Sequence, residues 1–594
     1  MLEKYRDRLL VDMQGAAAFI MALPAEDRAA WEDLPPAVRQ RLTARADQWM
    51  DAPIPMLTAS SYISFSRAGI AADYEKNRRI RRDMLRDLVI GSCVVPDGRY
   101  DMKLADVVWA ICEESSWVSP GNNLSAQGRG DRPLPDMDQP RVDRSAAETA
   151  CDLALAVQMV SSRLDAVSPQ LIERIAGEVE RRVIRPFRTL AGTVWMCGPK
   201  SDAMRCLCGC MMAFWTFEES SQHRWACAGK AMDLFDHLLM ALPADGSVPG
   251  GVDEWARTVE PVIDIVMMAL SVSRGSVDMR REKQIRLMAH YPVFCHMAQG
   301  WFLNAGAHSM RTTLPGALLY RLGAYVQDEA LCDLGVFLSH TQEQEERGGS
   351  LLHFAADLFN IQAMAEDAVR PPFRRQGYYA LAQIMVARQD EDSERGLALA
   401  VRGGSNGDVS AHADAGNFIL FCEGEPVLAD AGFLGDTAHH NLPLIGGAGQ
   451  SLGAAFGAQD VSCRLEDDYA MISMNLAAAY PPQSGVYAWQ RTLVYERAQN
   501  TVQLMEFFDL KDFSPVSFRF ITPHEPELGA GWAQLGPVRM RWEPGLTATR
   551  QKFDVPEGWR GVWGEALYLI ALDTDEPVEN GRRTFAFNAL RTFG

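Results

Sequence analysis

The sequence has few cysteines and no long run of uncharged apolar residues. Twelve of its 594 residues are cysteine, which is far below the density of a disulfide-held scaffold. Because no uncharged apolar stretch reaches the roughly 18 residues of a membrane span, we expect no transmembrane helix. Residues 1–27 contain no basic segment followed by an apolar stretch and a cleavage site, so the sequence predicts no secretory signal. We therefore expect a cytoplasmic protein with reduced thiols and no membrane partner.

Positive charge is also scarce. The formal net charge is −19, and the sequence pI is about 5.1. Such a chain repels phosphates overall, so we expect neither a nucleic acid nor an anionic membrane surface as a partner. A local basic cleft for a small anionic substrate remains compatible with this charge. The chain is too long for one hydrophobic core, and its length predicts two to four domains.

The hydrophobic pattern changes character near residue 390. Before that point, apolar residues recur at helical spacing, with short polar or Gly/Pro breaks between the segments. After it, short β-rich segments alternate with turns and have no helices between them, which is typical of an antiparallel sandwich. The pattern predicts an all-α part, arranged as a solenoid or toroid of helix pairs, followed by an all-β part. We place the two domains at residues 1–375 and 376–594.

Three cysteines form a C-x-C-x-C run at Cys206, Cys208 and Cys210. Zinc sites instead tend to use pairs of cysteines two to four residues apart, with a second pair elsewhere. Because the flanking residues are apolar and have helical spacing, we expect these three side chains to be buried core thiols.

A second group of residues suggests a metal site in the β-rich part. His412, Asp430 and His440 bring two imidazoles and one carboxylate within 29 residues of each other, a suitable set for a divalent transition metal and for zinc above all. In strands, alternate side chains point to the same face, so neighbouring strands can direct these side chains inward together. The residues alone leave open the alternative that they only form hydrogen bonds within turns.

Several motifs resemble the heparinase II/III family of polysaccharide lyases. The motifs are E-E-S-S-W-V-x-P at residues 113–120, H-x-D-x-G-N-F at 412–418, P-V-L-x-D-A-G at 426–432 and H-N-L-P-L-I-G-G-x-G-Q at 440–450. The resemblance implies an (α/α) toroid followed by an antiparallel β-sandwich, a multidomain α+β architecture with a saccharide cleft. It also implies an oligosaccharide substrate, a structural zinc ion at His412, Asp430 and His440, and a possible homodimer.

The family's chemistry is β-elimination at a uronic acid, and the resemblance assigns it to Asn, His and Tyr side chains. A neutralising group, a base and an acid are needed. This sequence has Ser410 and Asn122 at two positions where the family has histidine, and Glu254 where it has tyrosine. Residues 200–203 (KSDA) stand where the neutralising asparagine is expected. The usual residues therefore cannot be transferred to this chain.

Other residues could take over these roles. An acid, an aromatic ring and a guanidinium at one helix start form a good sugar-binding set, because the ring stacks on the sugar and the guanidinium grips a carboxylate. The candidate catalytic residues are Glu254, Asn122, Glu114 and His308, the last as a relocated base; the candidate substrate-binding residues are Trp255, Arg257, Asn123, Trp117 and Asp253.

Three functions remain open from the sequence. The first is a lyase that cleaves acidic oligosaccharides with a non-standard set of residues. The second is a glycoside hydrolase on the same scaffold, in which one carboxylate of Glu113 or Glu114 and one of Asp253 or Glu254 would form the pair that hydrolysis needs. The third is a saccharide-binding protein without catalytic activity.

Overall fold

A computed structural model describes residues 2–6, 19, 21–123, 133–138, 140–189, 200–342, 350–370, 372–407 and 411–590. The chain forms two compact units. The helical unit consists of Met1–Ala241, Arg257–Glu282 and Glu345–Asp367, and the sheet unit consists of Leu242–Ala256, Lys283–Gln344 and Ala368–Gly594. The domain ranges 1–375 and 376–594 stay a prediction. The units differ from them because two earlier segments group with the strands.

Amphipathic helices build the helical unit. Its helices are Arg28–Asp33, Pro36–Asp47, Ala59–Ala68, Ala72–Val94, Asp101–Cys112, Pro120–Asn123, Arg144–Val167, Gln170–Val179, Arg185–Thr189, Lys200–Phe217, Ser221–Met240, Leu351–Leu358 and Ile361–Glu366. A further helix, Gly251–Val272, has its first turns in the sheet unit and the rest in the helical unit.

Two of these helices pack very closely. Gly209, on Lys200–Phe217, meets the backbone of Arg144–Val167, and a Cβ atom there would lie 2.4 Å from the carbonyl oxygen of Ala147. The glycine is therefore required for this approach. Cys206, Cys208 and Cys210 lie on the same helix and are buried, free thiols, and burial raises their pKa values. The prediction of core thiols is confirmed.

Antiparallel strands dominate the sheet unit, with three helices, Lys283–Cys295, Gly316–Val326 and Glu329–Thr341, before them and the short helix Arg560–Trp563 among them. The eight-stranded sheet has the order Glu527–Gly529, Trp532–Leu535, Val538–Trp542, Val578–Ala589, Thr501–Ser514, Val486–Glu496, Tyr469–Asn475 and Gln459–Leu465. The four-stranded sheet has the order Leu546–Asp554, Ala566–Thr574, Val516–Thr522 and Pro443–Ile445, and the five-stranded sheet has the order Gln376–Tyr379, Ile384–Arg388, Leu397–Arg402, Phe418–Cys422 and Glu425–Leu428. In a fourth, two-stranded sheet, His296–Ala298 pairs with Trp301–Phe302.

Alternating burial explains how these sheets pack. In Val486–Glu496 every second residue from Trp489 onward is buried, which directs one face of the sheet toward the core. One hydrophobic cluster contains residues of all three larger sheets. A buried ion pair lies inside this unit, where Arg491 Nε donates to Glu506 Oε1 at 2.9 Å.

The observed order of elements confirms the predicted fold class, a helical part followed by antiparallel sheets. In the part of the chain that the structure describes, no helix has both the length and the apolar character needed to span a bilayer.

Candidate functional site

An Asp–His pair lies in the sheet unit. Asp253 is in the first turn of helix Gly251–Val272, and His308 lies in the loop that follows strand Trp301–Phe302. The loop is held in place because Asn304 Nδ2 donates to the backbone oxygen of His308 at 2.9 Å, and the hydroxyl of Thr312 donates to Asp253 Oδ1. The fold thus brings together two residues that are 55 positions apart in the chain.

The geometry of this pair sets the tautomer of the imidazole. Nδ1 of His308 lies 3.3 Å from Oδ2 of Asp253. An ionised carboxylate can only accept, so Nδ1 carries the proton, and Nε2 of the neutral ring carries the lone pair. Burial raises the pKa of Asp253, but hydrogen bonds from His308 and Thr312 outweigh it and hold the pKa below its ordinary value. Nε2 is shielded from solvent and has no hydrogen-bond partner among the described residues.

Glu254 lies beside this imidazole. A methyl group at Gly250 would lie 2.7 Å from Glu254 Cγ and 3.8 Å from His308 Nε2, so both groups face the same glycine. Gly250 has a φ of +84°, a conformation that a residue with a Cβ adopts only under strain. A side chain at this position would therefore clash with Glu254, and the glycine is required where Glu254 and the imidazole approach it.

Trp255 is not available to a sugar. Its side chain is fully buried, and its indole nitrogen donates to the backbone oxygen of Met288 at 2.8 Å. The prediction that it stacks on a pyranose is wrong, because helical periodicity turns this residue into the core. Arg257, two residues further along, is exposed.

Glu114 is also structural. Its carboxylate is buried and forms a two-pronged ion pair with Arg82, at 2.5 Å to Oε1 and 2.7 Å to Oε2. Arg81 approaches the same carboxylate at 3.3 Å. The prediction of a catalytic role for Glu114 is wrong in this structure, because both of its oxygens are already used to pair these guanidinium groups.

The neighbouring predicted residues have different surroundings. Trp117 is buried, donates to the backbone oxygen of Ile111 at 3.0 Å and lies under the guanidinium of Arg182; its indole therefore cannot stack on a sugar, which corrects that prediction. Asn123 is half-buried. It lines, with Trp117, a cavity of about 70 Å³, too small for a sugar ring.

A much larger cavity, of about 670 Å³, lies within the helical unit. Asn122 lines it and donates to Asp143 Oδ2 at 2.8 Å. The cavity is highly charged, and none of its charged residues was among the site residues that the sequence predicted. Its arginines are Arg78, Arg79, Arg82, Arg144 and Arg205, and its carboxylates are Glu75, Asp83, Asp143, Glu148, Asp152, Asp202 and Glu260.

His353 and Asp152 both line this cavity but have different partners. His353 Nε2 lies 2.8 Å from Asp264 Oδ2, and its Nδ1 lies 3.4 Å from Glu260 Oε2. Asp152 accepts from the backbone nitrogen of Leu351 at 2.9 Å, and burial raises the pKa of Asp152 to about 6. Burial and charge pairing therefore set these groups apart from the ordinary surface charges.

The candidate metal group is His412, Asp414 and His440. All three are buried, and one ligand atom of each lies within 4.8 Å of the others. His412 Nδ1 and His440 Nε2 are 3.2 Å apart. His440 Nδ1 donates to the backbone oxygen of Asp436 at 2.7 Å, which leaves Nε2 of the neutral ring with its lone pair toward His412.

The predicted third ligand, Asp430, needs a correction. Its Oδ1 lies 3.6 Å from His440 Nε2, but it also accepts from the backbone nitrogen of Gly432 at 3.0 Å. Oδ2 accepts from Asn417 at 2.9 Å. Asp414, two residues after His412, belongs to the group instead. The H-x-D spacing, which puts both side chains on one side of an extended segment, was the signal for it.

Two positions that the sequence comparison singled out, Ser410 and the segment 200–203, are not fully described by the structure. Ser410 lies outside the described residues, and so do the side chains of Lys200 and Ser201.

The fold is that of polysaccharide lyases with a helical toroid and a β-sandwich, and the resemblance to heparinases II/III is confirmed at the level of the fold. The chain is similar to heparan sulfate lyase HepC from Pedobacter heparinus, with a TM-score of 0.59 and 10% identity over 94% of this chain and 88% of that one. A structure of heparinase III gives a TM-score of 0.57 and 10% sequence identity over 93% of this chain and 89% of that one.

A chondroitin AC lyase of Streptomyces coelicolor A3, solved in complex with chondroitin sulphate, gives a TM-score of 0.55 and 12% identity over 99% of this chain and 83% of that one. No protein-family model matches the sequence, and no curated protein matches it either.

Proposed function

We propose that this protein is a carbohydrate-active enzyme that cleaves acidic, uronic-acid-containing oligosaccharides by β-elimination. The observation that carries the proposal is the pair of Asp253 and His308, with a buried Nε2 atom that has no partner among the described residues. The shared fold supports the choice of reaction, because the similar structures are lyases named for acidic polysaccharides.

The pair provides a general base. Nε2 of His308 would take the C5 proton of the uronate, the electron pair left behind would form the C4–C5 double bond, and the C4–O bond would break. The proton then passes from the imidazolium to the departing oxygen, so no other reactant is consumed. Asp253 would stabilise the imidazolium while it exists, and such positioned acid–base groups contribute about 10²–10⁴-fold to a rate.

Other predicted residues keep supporting roles in this proposal. Glu254 faces the same glycine as Nε2 and would orient the sugar or the leaving group. The roles predicted for Asn122, Asn123 and Arg257, which lie in the helical unit, stay predictions. A cytoplasmic location and a homodimer stay predictions.

The hydrolytic alternative needs one carboxylate from Glu113 or Glu114 and one from Asp253 or Glu254. The carboxylate of Glu114 is already paired with two arginines, which removes one of these candidates. The non-catalytic alternative is an outcome of the experiment below.

The experiment is product analysis with a panel of uronate-containing oligosaccharides. Ultraviolet absorbance reports the unsaturated uronate that elimination makes, and mass spectrometry reports the addition of water. We expect absorbance from the wild type and a loss of at least 100-fold in kcat for His308→Ala. His290→Ala is the matched control, because His290 Nδ1 also lies beside a carboxylate, at 2.6 Å from Asp328 Oδ2. Water addition without absorbance would indicate hydrolysis, and saccharide binding without cleavage would indicate a binding protein; either result refutes the proposal.

We also propose that His412, His440 and Asp414 hold a structural zinc ion. Tetrahedral zinc with Zn–N bonds of about 2.0–2.1 Å separates two ligand nitrogens by roughly 3.3 Å, close to the observed 3.2 Å. Bound zinc would cross-link the segments that carry these ligands. The same distance also suits a hydrogen bond between the rings, so metal content is the decisive measurement.

Elemental analysis should find one zinc per chain in the wild type. His412→Ala and Asp414→Asn should lower zinc affinity at least tenfold, whereas His439→Ala, which removes an adjacent histidine that pairs with Asp436, should not. A zinc-free wild type, or unchanged zinc content in His412→Ala, would show that this is no zinc site.

A further inference from the structure

The hydroxyl of Thr312 holds one oxygen of the Asp253 carboxylate. It donates to Oδ1, whereas Nδ1 of His308 faces the other oxygen, Oδ2, at 3.3 Å. The backbone oxygen of Ser309 lies 3.4 Å from the same hydroxyl, beyond the range of about 2.5–3.0 Å that O–H···O hydrogen bonds span. Because a hydroxyl has a single hydrogen to donate, the carboxylate of Asp253 receives this hydrogen bond.

The backbone of Thr312 is itself fixed on both sides. Its nitrogen donates to the backbone oxygen of Gly300 at 3.1 Å, and its carbonyl oxygen accepts from the side-chain amide of Gln342 at 2.9 Å. Gln342 is the C-cap residue of helix Glu329–Thr341. The position of the hydroxyl is therefore set by two hydrogen bonds that its own side chain does not make.

The occupied Oδ1 atom determines what the imidazole can do. Oδ2 is left as the acceptor for His308, and Nδ1 must carry the proton in order to donate to it. If the carboxylate could turn away, the ring proton could move to Nε2, and this atom would no longer be a base. Burial opposes ionisation of Asp253, but the hydrogen bonds from His308 and Thr312 outweigh it and keep the pKa of the carboxyl group below its ordinary value, so that it remains an acceptor.

We propose that Thr312 is a positioning residue that keeps the proton of the His308 ring on Nδ1 and the lone pair on Nε2. The catalytic consequence rests on the proposed function, in which Nε2 is the base. A hydroxyl that only stabilised the loop would change the free energy of unfolding and leave the ring proton where it is. The two roles are therefore distinguished by the tautomer of the ring.

The test combines nuclear magnetic resonance with kinetics of Thr312→Val, a change that keeps the shape of the side chain and removes the donor. The nitrogen chemical shifts of His308, assigned by their absence in His308→Ala, report which ring nitrogen carries the proton. We expect the valine variant to lose the pure Nδ1–H form and to raise the pKa of Asp253, because an ionised carboxylate loses a donor.

The same variant should eliminate more slowly. We expect kcat to fall about tenfold or more while KM stays within about twofold, since the base and not substrate binding is affected. Loss of the correct imidazole tautomer can cost up to roughly 10⁴-fold in kcat, so an effect of this size is within reach of a misplaced carboxylate.

Three further variants complete the design. Thr312→Ser keeps the hydroxyl and should retain both the tautomer and the rate. Thr313→Val makes the same change at the neighbouring threonine, which is exposed, and should alter neither. Thr312→Ala removes the hydroxyl without adding bulk and takes the place of the valine variant if that protein does not fold.

The outcomes separate this inference from the proposed function. If the tautomer changes in Thr312→Val but the wild type eliminates no saccharide, the proposed function fails and the positioning role stands. If the wild type eliminates and Thr312→Val keeps either the wild-type tautomer or the wild-type kcat, the inference alone is wrong. A Thr312→Ser protein as impaired as Thr312→Val also overturns it, because the hydroxyl would then not be the group that acts.

Discussion

Replacing Glu114 should damage stability and leave catalysis intact. The carboxylate is buried against Arg81 and Arg82, and removing one partner of a buried ion pair costs about 3–5 kcal/mol because the remaining charges stay buried. For Glu114→Ala we therefore expect a fall of this size in the free energy of unfolding. In a unit of this size, that corresponds to a drop in melting temperature on the order of 5–15 °C.

The assay is thermal unfolding followed by helical circular dichroism, with initial rates measured well below the melting transition. Glu113→Ala is the matched control, because Glu113 is the neighbouring glutamate and is exposed; surface changes of this kind usually stay within about 0.5 kcal/mol. We expect kcat/KM per folded molecule to be unchanged in both variants. A Glu114→Ala protein with wild-type melting temperature and a large loss of kcat would refute the reasoning.

Three further predictions concern other buried groups. Burial raises the pKa of Asp152 to about 6, so between about pH 4 and 6 the folded state keeps a proton that the unfolded state loses. In urea unfolding, the free energy of unfolding of Asp152→Asn should exceed that of the wild type by up to about 3 kcal/mol above pH 6 and by little below pH 4. In the same assay, Gly250→Ala should lower the free energy of unfolding by about 1–2 kcal/mol. The reason is that φ at this position is +84° and the alanine Cβ would lie 2.7 Å from Glu254 Cγ. Arg491→Met should lower the free energy of unfolding by about 3–5 kcal/mol, because it leaves the buried Glu506 without its ion-pair partner. Adding Glu506→Leu should recover part of this loss.

The succession of helices and strands was predictable because it depends on local patterns. Apolar spacing indicates the helix Arg144–Val167, and a β-rich segment between turns indicates the strand Val486–Glu496. Both signals lie within a window of about 20 residues. The same reasoning placed the C-x-C-x-C thiols in the core, because a helix surrounded by apolar residues has no face on which cysteines would meet a metal.

The site was only partly predictable, because burial depends on packing partners that are distant in sequence. Trp255 and Glu114 have the residue types of a sugar site, yet each is satisfied by groups that the pattern does not reveal, the carbonyl of Met288 in one case and two arginines in the other. His308 and Asp253 were both identified as single candidates. Their pairing follows only from the loop that returns His308 to the start of the helix.

The same loop packs against the segment that carries Asp430, within the sheet unit. A Cβ atom at Gly432 would lie 2.6 Å from the backbone oxygen of His308, and the backbone nitrogen of Asp430 lies 3.2 Å from the sulfur of Met310. The segment that carries Asp430, adjacent to His440, therefore packs directly on the residues around His308. Since an interior at this packing density transmits displacement rather than absorbing it, a displacement of the segment at Asp430 would reach the loop that carries His308 through this contact.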